Sequence, residues 1–189
     1  MKVQIIIGST RPGRIGSQVA KWVMKNLPEQ DETAYELVDL GDYKLPIFDE
    51  PIHPSMGQYK HDHTLEWSKK IKEADAYVFV TPEYNAGYPA SLKNAIDYLF
   101  HEWKAKPVMI VSYGVNGGQG ASAQLRQVAE RLKMQPTNTS PMLTITREMS
   151  GEDGQLKDTA ESLKSYEAIL EEAGDELLTI GNAVEVLAA

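Results

Sequence analysis

Val3-Gln4-Ile5-Ile6-Ile7-Gly8-Ser9-Thr10-Arg11-Pro12-Gly13-Arg14-Ile15-Gly16-Ser17 changes its period partway along. Residues 3–7 are a compact, β-branched run. Such a run reads as a strand covered on both faces, as in a parallel sheet. Gly8 ends it. From Ile15 onward the apolar positions are Ile15, Val19, Trp22 and Val23, spaced i, i+4, i+7 and i+8, which is one stripe of a helix. Strand, glycine-rich turn and amphipathic helix form one βα unit.

The same unit recurs along the chain. Further strand candidates lie at 35–40, 76–81, 108–113 and 142–146, and three of the five are nearly continuous apolar runs. Helical stripes lie between and after them. They are Leu65, Ile71 and Ala74; then Leu92, Ala95, Ile96, Leu99 and Phe100, with Pro89 suited to a first turn; then Leu125, Val128, Ala129 and Leu132. Leu163, Tyr166, Leu170, Ala173 and Leu177 predict one long final helix after the Asp153-Gly154 turn. Alternation of this kind predicts an α/β fold: a flavodoxin-like, three-layer, doubly wound, five-stranded parallel sheet of order 2-1-3-4-5. It is read as a single domain over 1–189. The long irregular stretch 41–60 is expected to serve function or an interface. The apolar tail 179–189 is expected to dock.

The 189 residues are 42% hydrophobic and 24% charged, with 19 Lys plus Arg against 27 Asp plus Glu, a net charge of −8 and no cysteine. Without cysteine there is no disulfide scaffold, no Cys-ligated metal or cluster and no thiol catalysis. An acidic chain lacks the field that general nucleic-acid binding needs. No apolar run approaches the roughly 20 residues of a membrane span, and the apolar start is too short for a signal peptide. A cytoplasmic protein is expected, with neither nucleic acid nor membrane as partner. His61, His63 and Glu66 read as a solvated helix start and not as a metal site, so no metal is expected. Asp49-Glu50 reads as solvated charge, and His101 and Glu102 as the end of a helix.

In a doubly wound sheet, ligands bind beyond the carboxyl ends of the strands, at the switch point between strands 1 and 3. The first such loop, residues 8–17, joins hydroxyls, glycines and two arginines to a helix N-terminus. Backbone N–H groups, the helix dipole and guanidinium forks suit a phosphate. It is not a Walker A loop, because Arg14-Ile15 stands where Lys-Ser/Thr would be. Nor is it the dinucleotide fingerprint, because Thr10 replaces the second glycine. The second loop, 81–89, carries Glu83, Tyr84, Asn85, Gly87 and Tyr88. It suits a planar ring with polar edges, or else its tyrosines pack on the next helix. The third, 112–120, has four glycines and allows close backbone approach or mobility. A phosphate site beside a bracketed flat ring points to flavin mononucleotide (FMN).

These residues resemble the NADPH-dependent FMN reductase family, which includes quinone, chromate and azo-dye reductases. The motifs that carry the resemblance are Gly8-Ser9-Thr10-Arg11, Pro82-Glu83-Tyr84-Asn85, Pro89, Leu92-Lys93-Asn94-Ala95-Ile96-Asp97 and Gly117-Gly118. The resemblance implies that Ser9, Arg11, Ile15, Gly16 and Ser17 hold the FMN phosphate. It implies that Pro82, Glu83, Tyr84 and Asn85 contact the isoalloxazine and ribityl chain, and that Ser112, Tyr113, Gly114 and Gly117 close the other side. Arg14 is left between the FMN phosphate, the 2′-phosphate of NADPH and solvent. The chemistry implied is hydride transfer from NADPH or NADH through FMN to a small acceptor: flavin, quinone, azo compound or metal oxyanion. No catalytic side chain is required, and Tyr84, Asn85 and Tyr88 shape the substrate face. A homodimer or homotetramer is implied. The alternative class is a flavodoxin-like electron carrier or flavin-sensing module.

Overall fold

The computed structural model describes residues 1–30 and 32–188, with side chains in the last helix described through residue 184. Among the described residues, six strands form one sheet. They are β1 (Lys2–Ile7), β2 (Ala34–Asp39), β3 (Ala76–Pro82), β4 (Pro107–Gly114), β5 (Gln135–Pro136) and β6 (Met142–Thr144). Every pairing is parallel, and the order is β2-β1-β3-β4-β5 with β6 also on β4. The helices are α1 (Gly16–Asn26), α2 (Asp62–Lys72), α3 (Ala90–Asp97), α4 (Gln119–Arg131), α5 (Thr159–Leu163) and α6 (Glu167–Ala188).

Alternation along the strands makes the layers. Val3, Ile5 and Ile7 of β1, with Val78 and Val80 of β3, pack against Val19 and Val23 of α1 and Leu170 and Leu177 of α6. Ile6, Tyr77 and Phe79 face the other way, onto Trp67 of α2, Leu92 and Ile96 of α3 and Leu125 of α4. Successive side chains leave a strand on opposite faces, so a strand apolar at nearly every position demands helices on both sides. Gln4 falls on the second face and is fully buried; its Nε2 donates to the Lys70 carbonyl at 2.8 Å.

Three sequence expectations need correction. The fifth strand is two short strands: β5 pairs the start of β4 and β6 pairs its end. Pro136 and Pro141 explain the interruption, since neither has an N–H to give a ladder. The carbonyl of Pro141 instead accepts from Ser112 N, and the Arg126 guanidinium binds the Thr137 carbonyl and Ser140 between them. The long final helix is likewise two, α5 and α6, separated by a 3-10 turn at Lys164–Tyr166. That turn brings the Tyr166 hydroxyl to accept from Thr144 N at the sheet edge, 3.0 Å away. Finally, α3 stops at Asp97, so Leu99, Phe100, His101 and Glu102 lie beyond it.

Of the tail 179–189, Gly181 is buried and lies against Met1 and Pro107, whereas Thr179, Asn182 and Ala183 are exposed; the side chains of 185–188 and all of Ala189 lie outside the described residues. Among the described residues no helix is long and apolar enough to cross a membrane.

Candidate functional site

Because all strands are parallel, the loops after β1, β3 and β4 emerge at one edge of the sheet. The helices that follow these loops, α1, α3 and α4, begin at that edge; α3 starts behind Pro89 without a side-chain cap, and the ends of α1 and α4 are finished differently. At α4 the N-cap is Gly118, which offers no side chain. The Glu83 carboxylate fills the gap from the β3 loop, accepting from Gly120 N at 2.7 Å and Ala121 N at 3.2 Å. A carboxylate there also meets the positive end of the helix dipole.

At α1 nothing comparable happens. The N-cap Ile15 makes no side-chain bond, and the first turn holds no acidic residue. Around this open end stand the fully buried Ser9 and the exposed Arg11. Gly16, the first helical residue, has no room for a side chain. A Cβ there would sit 2.9 Å from the Tyr113 hydroxyl and 3.1 Å from Ile7. Bare N–H groups at a helix start, a serine hydroxyl and a guanidinium form an anion-binding set.

The β3 loop closes on itself. Tyr84 N donates to the Gly87 carbonyl at 2.7 Å, and Gly87 N returns a bond at 3.1 Å. Asn85 has φ 49° and Ala86 φ 64°, the two positive values of a type I′ turn. Asparagine tolerates this; alanine is strained by about 1–2 kcal/mol. Gln124 of α4 holds the turn by donating to the Ala86 carbonyl at 2.9 Å. Tyr84 is 36% exposed, its hydroxyl lies 2.7 Å from Ser9 Oγ, and the Arg11 guanidinium lies 5.9 Å above its ring. The turn therefore presents a flat ring and an exposed amide, Asn85, beside the anion-binding end. The fit to a phosphate-bearing planar ligand rests on that juxtaposition.

Several predicted residues are brought to this edge with their side chains already engaged. Ser112 Oγ donates to the Gly117 carbonyl at 2.7 Å. The Tyr113 ring is buried against Gly16, and burial pushes its hydroxyl well above the ordinary value, so it stays protonated. Pro82 is buried, and Glu83 caps α4. The Gly114 carbonyl accepts from Gly117 N and Ile145 N. Burial, with the Asp97 carboxylate nearby, pushes Tyr88 up to about 12. Ile15 and Ser17 are half-buried on α1.

Arg14, which the sequence leaves open between phosphate and solvent, has a partner within the chain. Its Nη2 donates to Asp39 Oδ2 at 2.6 Å, tying the β1 loop to the end of β2. It lines a cavity of about 340 Å³ with Thr10, Gly41, Ser91 and Asn94, outside the β3 and β4 loops. A second cavity, of about 590 Å³, lies away from all three loops, walled by Phe48, Pro54, Ile96, Phe100, Val128 and Leu132.

The sequence did not reveal what the other residues of the fold do for this edge. Leu92 lies directly beneath Gly8, where a Cβ would approach it to 2.9 Å. Ser91 Oγ donates to the Gly8 carbonyl at 2.7 Å. Asn94 clamps the long loop: its Oδ1 accepts from Phe48 N at 2.8 Å and its Nδ2 donates to the Pro46 carbonyl at 2.6 Å. Asp49 is exposed, as solvated charge would be, but Glu50 is not. Glu50 is buried and accepts from Lys60 N and His61 N; Asp49 accepts from the Tyr98 hydroxyl and lies 3.0 Å from His63 Nε2.

Comparison with known proteins bears on the same residues. The sequence model of the family described as NADPH-dependent FMN reductase matches residues 1–147. An NAD(P)H-dependent FMN reductase of Schizosaccharomyces pombe is 48% identical over 149 residues, covering 78% of this chain and 74% of the relative. A quinone reductase of Pseudomonas putida is 34% identical over 132 residues, covering 66% of this chain and 67% of the relative. Among solved structures, the flavoenzyme NAD(P)H:(acceptor) oxidoreductase FerB of Paracoccus denitrificans superposes with a TM-score of 0.72. It is 22% identical, and the match covers 94% of this chain and 97% of FerB. At that identity the likeness speaks of the fold alone.

Proposed function

Because the chain belongs to the NADPH-dependent FMN reductase family, we propose that it is an oxidoreductase that binds FMN and uses it to carry hydride from NADPH or NADH to a small acceptor. The acceptor classes are flavin, quinone, azo compound and metal oxyanion. The names of the relatives, NAD(P)H-dependent FMN reductase and quinone reductase, support the oxidoreductase reading. The single observation that carries the cofactor is the contrast between the two helix ends. The chain caps α4 with its own Glu83 and leaves α1 bare beside Ser9 and Arg11.

The residues divide by what they do. Ser9, Arg11 and the N–H groups of Gly16 and Ser17 would hold the phosphate as hydrogen-bond donors. Tyr84 and Asn85 would meet the ring and ribityl chain from the β3 turn. The backbone of Gly114 and Gly117 would face them from the β4 loop. Glu83, Ser112 and Tyr113 act at one remove: their internal bonds fix the backbone that does the binding. Arg14 fixes the β1 loop from behind through Asp39. Ile47, Phe48 and Met56 are exposed apolar side chains on the long loop, which supports a homodimer or homotetramer.

The test is anaerobic. Protein loaded with FMN is mixed with NADPH and followed at about 450 nm, where oxidised flavin absorbs. Loss of the absorbance, and its return when a quinone is added, is the expected result. A yellow protein that neither NADPH nor NADH bleaches is a carrier or sensor, and the reductase reading fails.

A further inference from the structure

We propose that the Tyr84 hydroxyl is a positioning group for Ser9, so that one side chain ties the ring end of the site to its phosphate end. The inference rests on the FMN reading above and deepens it.

The geometry is specific. Ser9 is fully buried, and its Oγ has two neighbours within hydrogen-bond reach: the Tyr84 hydroxyl at 2.7 Å and the N–H of Arg11 at 3.4 Å. A serine hydroxyl carries one proton and accepts two bonds. The Arg11 N–H can only donate, so it uses one acceptor position. If Ser9 gave its proton to Tyr84, the Ser9 hydroxyl would have no proton left for an anion. If Tyr84 donates, both acceptor positions of Ser9 are filled, and its single proton remains free for an oxygen with lone pairs. A phenol is the more acidic of the two hydroxyls, which favours the second arrangement. It also makes a directed chain, Tyr84 O–H to Ser9 O–H to phosphate oxygen, in which each bond polarises the next.

The rest of the loop fixes Tyr84 for this task. Its backbone is locked by the two bonds with Gly87, and Gln124 holds the turn from α4. Arg11 lies over the same ring. Tyr84 is thus flanked by the two side chains proposed to hold the phosphate, while its ring stays partly exposed on the side of the β3 turn.

Phosphate-specific binding distinguishes this role from simple stacking. Riboflavin shares the ring and ribityl chain of FMN and lacks the phosphate. FMN and riboflavin are titrated by flavin fluorescence against wild type, Tyr84→Phe, Ser9→Ala and the double variant. Tyr84→Phe keeps the ring and the Arg11 contact. It is expected to weaken FMN about fivefold, the scale of one hydrogen bond, and to leave riboflavin unchanged. Ser9→Ala is expected to weaken FMN about tenfold or more, as a bond to a charged group is lost. The double variant should bind FMN no worse than Ser9→Ala, because the Tyr84 hydroxyl acts only through Ser9. Equal loss of FMN and riboflavin in Tyr84→Phe, no loss of either, or additive losses in the double variant would each overturn the proposal while leaving the FMN reading intact. A wild type that binds FMN no better than riboflavin refutes the phosphate reading itself, and this inference with it. Melting temperatures within the wild-type range show that the variants are folded.

Discussion

Replacing Gly118 by alanine tests whether the β4 loop lies as tightly on its strand as the geometry requires. Gly118 sits at φ 74°, ψ 35°, where an L side chain costs about 1–2 kcal/mol. A Cβ there would also lie 2.9 Å from Ser112 Cβ, 3.0 Å from Tyr113 N and 3.1 Å from the Tyr113 carbonyl oxygen. Two of those atoms are backbone of β4, which is paired with β3 on one side and β6 on the other at this register. They cannot withdraw, so overpacking adds about 1–3 kcal/mol. The sum, about 2–5 kcal/mol, is a large share of the roughly 5–15 kcal/mol that holds a typical domain. Gly13→Ala supplies the control. Gly13 has φ 72° and nothing within 4 Å of a built Cβ, so it carries the conformational cost without the clash. Any gain from a stiffer unfolded chain is common to both variants. Urea unfolding is read by the emission of Trp22, Trp67 and Trp103, all buried. Gly118→Ala should be less stable than Gly13→Ala by about 1–3 kcal/mol at similar m-value. Equal stability of the two would refute the close approach of Gly118 to β4.

Two further perturbations probe the supports of the site. Asn94→Ala removes both bonds that hold residues 46–48 and should cost about 1–3 kcal/mol; hydrogen exchange of the Phe48 amide should accelerate, and unchanged exchange would mean that Asn94 does not clamp the loop. Glu102 is buried, which raises its carboxyl, but bonds from the Ser68 and Tyr59 hydroxyls and the Lys72 charge outweigh that and hold it below its ordinary value. A group depressed in the folded state stabilises fully above its unfolded value and loses that contribution as pH falls through the folded one. Stability should therefore hold down to about pH 5 and fall below it, as pH drops through the ordinary carboxylate range toward the lower folded value, and Glu102→Gln should show a smaller fall there. An identical pH profile in the variant would remove Glu102 as a source of acid sensitivity.

The layers were readable because burial on both faces leaves a plain mark. A run such as Ala76 to Thr81, β-branched and aromatic and stopped by Pro82, reads as an interior parallel strand, and the helical stripes between such runs supply the cover. The split edge strand was also written in the chain, as Pro136 and Pro141, but the apolar pattern of 142–146 drew the reading to one segment. At the site, residue types were legible and their employment was not. The sequence leaves Arg14 open between two phosphates and solvent; its partner Asp39 ends a different strand, and only the parallel sheet brings the two together. Glu83 looked like a ring contact, and its partners are backbone N–H groups of α4, which no side-chain pattern announces. Glu50 misled for the same reason, since it is satisfied by the amides of Lys60 and His61. The motif from Leu92 to Asp97, the most specific in the chain, works largely beneath the site: Leu92 lies under Gly8 and Asn94 holds the long loop.

The phosphate end is where the functional reading stands or falls, and calorimetric titration of FMN into wild-type protein and Arg11→Ala reads it directly. The exposed Arg11 has no acidic partner among the described residues, so its loss should leave the fold untouched. FMN affinity should drop by about 1.5–3 kcal/mol, the scale of a charge-assisted hydrogen bond, with riboflavin affinity unchanged. Equal FMN affinity in the two proteins would mean that the β1 loop and the open end of α1 do not hold the phosphate.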